Sequence, residues 1–187
     1  MHRRLTLLLA TALLLLGGCA QPSQSFYMLT PSGPVPSGGG LGIGVGPITL
    51  ASYLDRIYLV TEEGPNRLGV AENHRWAGDL RSSLTRVIAA NLGRRLKTGN
   101  VQVYPWQTDR EISYQVTLDV RQLHSQADGY AICEIGWRAY ALPARRLITS
   151  KTFVDRQALT ADGYDASVAA QSILLDRLAA SIASSLR

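Results

Sequence analysis

Between residues 112 and 121 the chain alternates without a break. Ile112, Tyr114, Val116, Leu118 and Val120 are apolar, and the intervening Ser113, Gln115, Thr117, Asp119 and Arg121 are polar. Successive side chains of a β-strand point to opposite faces, so the pattern predicts a strand with one buried and one wet face. Ala127-Asp128-Gly129 closes it with a turn, and Tyr130 to Leu142 returns as a second long strand. Pro143 to Arg146 turns again, and Leu147 to Gln157 supplies a third strand. Three long strands joined by short turns predict an antiparallel meander, and its apolar face needs a cover.

Two amphipathic segments can provide one. A helix is predicted from about Ala77 to Leu96. Trp76, Leu80, Leu84, Val87, Ile88, Asn91 and Arg95 fall on one side at helical spacing, and Leu92 and Leu96 lie beside them. Gly99 marks its stop. A second helix is predicted from about Asp165 to Leu186, with Val168, Ser172, Leu175, Ala179, Ile182 and Leu186 as its stripe. Ser25 to Leu29 is a short apolar segment, and shorter strands are predicted at Leu41 to Val45 and Val101 to Tyr104. Ile57 to Thr61 and Arg67 to Glu72 form a hairpin around Glu63-Gly64-Pro65-Asn66. Gly42, Gly44 and Gly46 leave one edge or face of their strand bare, where another backbone can approach closely. Thr49 to Arg56 reads as a turn or short helix, and Pro31 to Gly40, almost all Pro, Ser and Gly, reads as a loop. The order strands, helix, strands, helix predicts an α+β fold. It is a two-layer α/β sandwich in which two long helices cover one face of a largely antiparallel mixed sheet. Residues 25–187 suit a single domain, since about 100–200 residues is the usual allotment.

The N-terminus is of another kind. Arg3 and Arg4 precede an apolar run from Leu5 to Leu16. A bilayer-spanning helix needs about 20 apolar residues, so this run is too short to span and suits a signal peptide. Leu16-Gly17-Gly18-Cys19 follows and resembles the lipobox of bacterial lipoproteins. The expectation is a signal over residues 1–18, a lipidated Cys19 and a short tether over residues 19–24. Ala20, where inner-membrane lipoproteins often carry Asp, implies the outer membrane. Five residues, Ala20 to Gln24, separate the lipid from the first apolar segment, so the body sits close to the bilayer. Cys133 is then the only other thiol. It forms no internal disulfide, and its apolar strand neighbours make it a buried, inert residue.

Charge and chemistry exclude more than they assign. The chain carries 19 basic and 14 acidic residues, but Arg3 and Arg4 leave with the signal. The remaining surplus is too mild to argue for nucleic acid. There is no HExxH, CxxC or GxSxG motif, and GxGxxG is absent. His2 belongs to the signal, His124 reads as a partly exposed residue at a strand end, and His74 lies just ahead of the first helix. No metal site, cofactor site or catalytic constellation is read from these residues, and no enzyme is expected.

Several segments in order carry a family resemblance. They are Val45-Gly46-Pro47-Ile48 with Tyr53-Leu54-Asp55-Arg56, then Glu72-Asn73-His74-Arg75-Trp76-Ala77, then Val103-Tyr104-Pro105-Trp106. With the lipobox before them and an alanine-rich helix after them, the chain resembles the PqiC/YmbA lipoproteins, auxiliary components of ABC-type transport. The resemblance implies a periplasm-facing outer-membrane lipoprotein without catalytic residues. It also implies a homo-oligomeric ring that docks an MCE-domain tunnel protein carrying lipid between membranes. Tyr53, Asp55, Arg56, His74 and Arg75 are the candidate oligomer or partner surface. The alternative for four of them, Asp55, Arg56, His74 and Arg75, is an internal charge-assisted network around the helix start. Rival readings of the whole are an envelope-assembly or peptidoglycan-associated lipoprotein and, further off, a lipoprotein hydrolase.

Overall fold

The computed structural model describes residues 23–36, 38–107 and 111–186. The signal peptide expected over residues 1–18, Cys19 and the start of the expected tether lie outside the described residues. Eight strands form one mixed sheet: β1 (Ser25–Tyr27), β2 (Ile43–Leu50), β3 (Tyr58–Gly64), β4 (Arg67–Trp76), β5 (Val101–Val103), β6 (Tyr114–Ser125), β7 (Tyr130–Ala141) and β8 (Arg146–Ala158). Two helices, α1 (Leu80–Leu96) and α2 (Tyr164–Ser185), complete the fold.

The meander is present as β6, β7 and β8, paired antiparallel along nearly their whole length. The alternation that predicts β6 sorts its side chains as expected, with Val116, Leu118 and Val120 buried against the helices. β3 and β4 form the expected hairpin. The parallel pairings are shorter. β2 runs parallel to both β5 and β6, β1 runs parallel to β4, and β3 joins β6 through Thr61 and Ser125. β6 is therefore the branch strand, with β7 on one edge and β2 and β3 sharing the other.

α1 packs on β2 and β5, α2 packs on β6, β7 and β8, and the helices pack on each other. Leu84, Ile88, Leu92, Leu174, Leu175 and Leu178 are fully buried between the two layers. α1 begins three residues later than the apolar spacing predicts. Trp76 belongs to β4, where it aligns with Tyr27 of β1, and Asp79 caps the helix by accepting a hydrogen bond from the Ser82 N–H at 2.8 Å. Strand pairing holds Trp76, and the cap sets the first turn after it. Trp76 is still buried, as the stripe requires, but from the sheet side.

Two polar residues in the helix stripes do a specific job. Asn91 Oδ1 accepts from the Ser32 N–H at 2.9 Å, and Ser172 Oγ accepts from the Thr30 N–H at 3.2 Å. They satisfy backbone donors of the segment that follows β1, which passes across both helices. Leu29 is buried in the same stretch. The chain leaving the tether is thus fixed to the core within a few residues.

Gly42, just ahead of β2, is bare for the predicted reason, the approach of backbone, whereas Gly44 within β2 makes room for a side chain. A Cβ on Gly42 would lie 1.7 Å from the Glu111 carbonyl oxygen, and one on Gly44 would lie 2.9 Å from the Trp106 ring. Gly46 has φ +117° at an irregularity in the β2–β6 ladder. Its carbonyl accepts from the buried Gln115 amide at 2.9 Å.

Candidate functional site

The turn between β2 and β3, residues 51–57, carries three of the five candidate surface residues. It sits where β2 ends, with the Ala51 N–H donating to the Val120 carbonyl at 2.9 Å. The Ile57 carbonyl accepts from the Trp76 N–H at 2.8 Å, which brings the turn against the end of β4. Leu54 plugs it into the core.

Tyr53 points back across the sheet. Its hydroxyl donates to the Arg121 carbonyl at 2.9 Å and lies 3.3 Å from His124 Nδ1. His124 Nε2 lies 3.9 Å from Glu62 Oε2, which also accepts from the Gln126 amide at 2.9 Å. His124 is buried. This corrects the expectation of a partly exposed strand end. A bulge between Val120 and Gln122 reverses the face parity of β6. Leu123, aligned with the buried Cys133, takes the core side, and His124 turns to the other face beneath Tyr53 and Glu62.

A tyrosine, an imidazole and a carboxylate in a row resemble a proton relay, but the electrostatics run against one. Burial and the nearby negative charge of Glu134 push the Tyr53 phenol up to about 12. A nucleophile or base needs the opposite shift. Burial lowers the His124 pKa, and Glu62 only partly offsets this. Tyr53 therefore stays protonated and His124 favours its neutral form, a combination that locks the turn onto β6. Burial also drives the Cys133 thiol well above its usual range. Among the described residues no group of three His, Cys, Asp or Glu side chains could hold a metal ion.

The other candidate residues divide into separate pairings. Asp55 binds Arg81 of α1 at 2.7 Å on the surface. Arg56 is exposed at the tip of the turn. His74 Nδ1 lies 2.7 Å from the Tyr27 hydroxyl, and its ring stacks on Tyr164 at 3.9 Å, linking β1, β4 and α2. The Arg75 guanidinium lies 5.0 Å from the centre of the Tyr58 ring and donates to its hydroxyl at 3.3 Å. The structure thus brings Tyr53, Asp55 and Arg56 together in one turn and leaves His74 and Arg75 on β4 with partners of their own.

Sequence reasoning did not single out Arg81 and Arg86 as site residues. They form the basic wall of a cleft of about 350 Å³ whose opposite wall is Pro47, Ile48, Val103 and Tyr104. Two segments that carry the family resemblance meet there. Their shared wall comes from the parallel pairing of β2 with β5, and a strand pattern does not announce its neighbours.

Among the described residues no helix is long and apolar enough to cross a membrane. No curated protein matches the chain. Solved structures share the fold. The crystal structure of an uncharacterized protein superposes with a TM-score of 0.75 at 20% identity, over 88% of this chain and 99% of that one. Protein XCC0632 from Xanthomonas campestris superposes with a TM-score of 0.63 at 18% identity, over 84% of this chain and 92% of its own. At such identities the likeness speaks for the fold. The model of the ABC-type transport auxiliary lipoprotein component matches residues 27–183, from the end of β1 to the last turn of α2, and the chain belongs to that family.

Proposed function

We propose that this protein is an outer-membrane lipoprotein acting as a non-enzymatic accessory subunit of an MCE/ABC-type lipid transport system. Acyl chains on Cys19 fix the body on the inner leaflet of the outer membrane. Copies assemble into a ring and dock the outer end of an MCE-domain tunnel, so the contribution is binding and positioning. The observation that carries this reading is the match of the transport-auxiliary lipoprotein family across the folded body, behind a lipobox at Cys19. The contact surface is centred on the turn with Arg56 at its tip. Tyr53 holds that turn from below, and the Asp55–Arg81 pair holds it to α1.

Cys19→Ala tests the anchor. Membrane fractionation is expected to find the native protein in the outer membrane, and the variant folded but released from it. A variant that still fractionates with the outer membrane would overturn the anchor reading.

A further inference from the structure

β1 has two sides of opposite character. Tyr27 and Leu29 turn inward. Tyr27 packs on the core and binds His74, and Leu29 is buried. Phe26 and Met28, on the alternate positions, stand in solvent with 63% and 67% of their surface exposed. Two large apolar side chains side by side at that exposure are a costly use of surface unless something covers them. β1 lies at the end of the sheet and pairs only with β4. In that pairing Phe26 is level with Arg75, and Arg75 is level with Tyr58 of β3, over whose ring its guanidinium sits. A row of Phe26, Arg75 and Tyr58, with Met28 exposed just past the end of β1, is the composition that settles at a bilayer surface, where apolar bodies enter and polar ends stay at the headgroups.

The chain's course says what the cover is. Cys19 precedes Phe26 by seven residues, a reach of about 25 Å at full extension, so an anchored Cys19 keeps this edge at the membrane. β1 is also firmly held. The Ala77 N–H donates to the Tyr27 carbonyl at 2.8 Å, and Ser172 and Asn91 fix the residues that follow. An edge both tethered and rigid can transmit the orientation of the bilayer to the whole body.

We infer that Phe26 and Met28 insert into the lipid surface beside the acyl anchor, a second membrane contact that sets the tilt of the body. This rests on the anchored reading above. It is tested in full-length protein processed in cells, with an environment-sensitive fluorophore on Phe26→Cys or Met28→Cys. Cys133 is buried and does not compete for the label. Val154→Cys, exposed on β8, serves as the reference. Samples are reconstituted into phosphatidylethanolamine/phosphatidylglycerol vesicles, and intact mass is read on the same material. The expected result is an acyl mass at Cys19, with a blue-shifted emission at positions 26 and 28 that lipid-borne quenchers extinguish and aqueous iodide does not. The label at 154 stays accessible to iodide. An acylated protein whose labels at 26 and 28 behave like that at 154 overturns this inference and leaves the anchor standing. Labels shielded from both quenchers overturn it in favour of a second copy as the cover. An absent acyl mass overturns the anchor and this inference together.

Discussion

At the scale of single residues, Gly42 and His124 show how little room the sheet leaves. The Gly42 position faces a backbone carbonyl at a distance no Cβ can occupy, and backbone cannot swing aside as a side chain can. Gly42→Ala is expected to cost about 1–3 kcal/mol, read from urea unfolding. Gly44→Ala, which meets the side chains of Trp106 and Ile112 and no backbone, is expected to cost less. His124 gives the molecule an acid sensitivity. Burial lowers its folded pKa below the unfolded value near 6.5. The unfolded chain then binds more protons, so stability is complete above about pH 6.5 and is lost as pH falls through the folded pKa. His124→Gln is expected to flatten the fall in Tm between neutral and mildly acid pH, and a fall of unchanged steepness would assign it to other groups. The close approach to the bare side of β2 was legible in the repeated glycines. The burial of His124 was not, because it depends on a bulge whose position no residue pattern marks.

At the scale of elements, α1 begins at a side-chain cap, whereas α2 begins at Gly163 without one. Asp79 accepts from Ser82, and this hydrogen bond holds its carboxyl below the usual range. Asp79→Ala is expected to lose about 1 kcal/mol, and thermal unfolding at neutral pH measures it. The sign of the shift means that the native advantage disappears as pH falls through the lowered Asp79 value. The meander, the β3–β4 hairpin and both helices were legible because apolar period and turn residues act locally. The start of α1 was read three residues early, because Trp76 satisfies a helical stripe and a sheet core equally well. The parallel pairings of β1 with β4 and of β2 with β5 and β6 were illegible for a different reason. Alternation specifies which face a residue takes and leaves the neighbouring strand open. For the candidate site this meant that Tyr53, Asp55 and Arg56 were found as neighbours in sequence, while the Arg81–Arg86 cleft needed the topology.

At the scale of the whole molecule, membership of the transport auxiliary lipoproteins makes this a membrane-anchored component of the cell envelope. Its architecture suits that position. One end of the sheet begins at β1, and the turn with Arg56 packs against the end of the neighbouring β4, while the basic cleft is formed by β2, β5 and α1 toward the other end of the sheet. What the native protein holds tests the proposed docking role most directly. Full-length protein isolated from outer membranes in mild detergent is expected to bring an MCE-domain protein with it, and Arg56→Glu is expected to reduce that recovery. Native acylated protein that repeatedly emerges without any MCE-domain protein would contradict it.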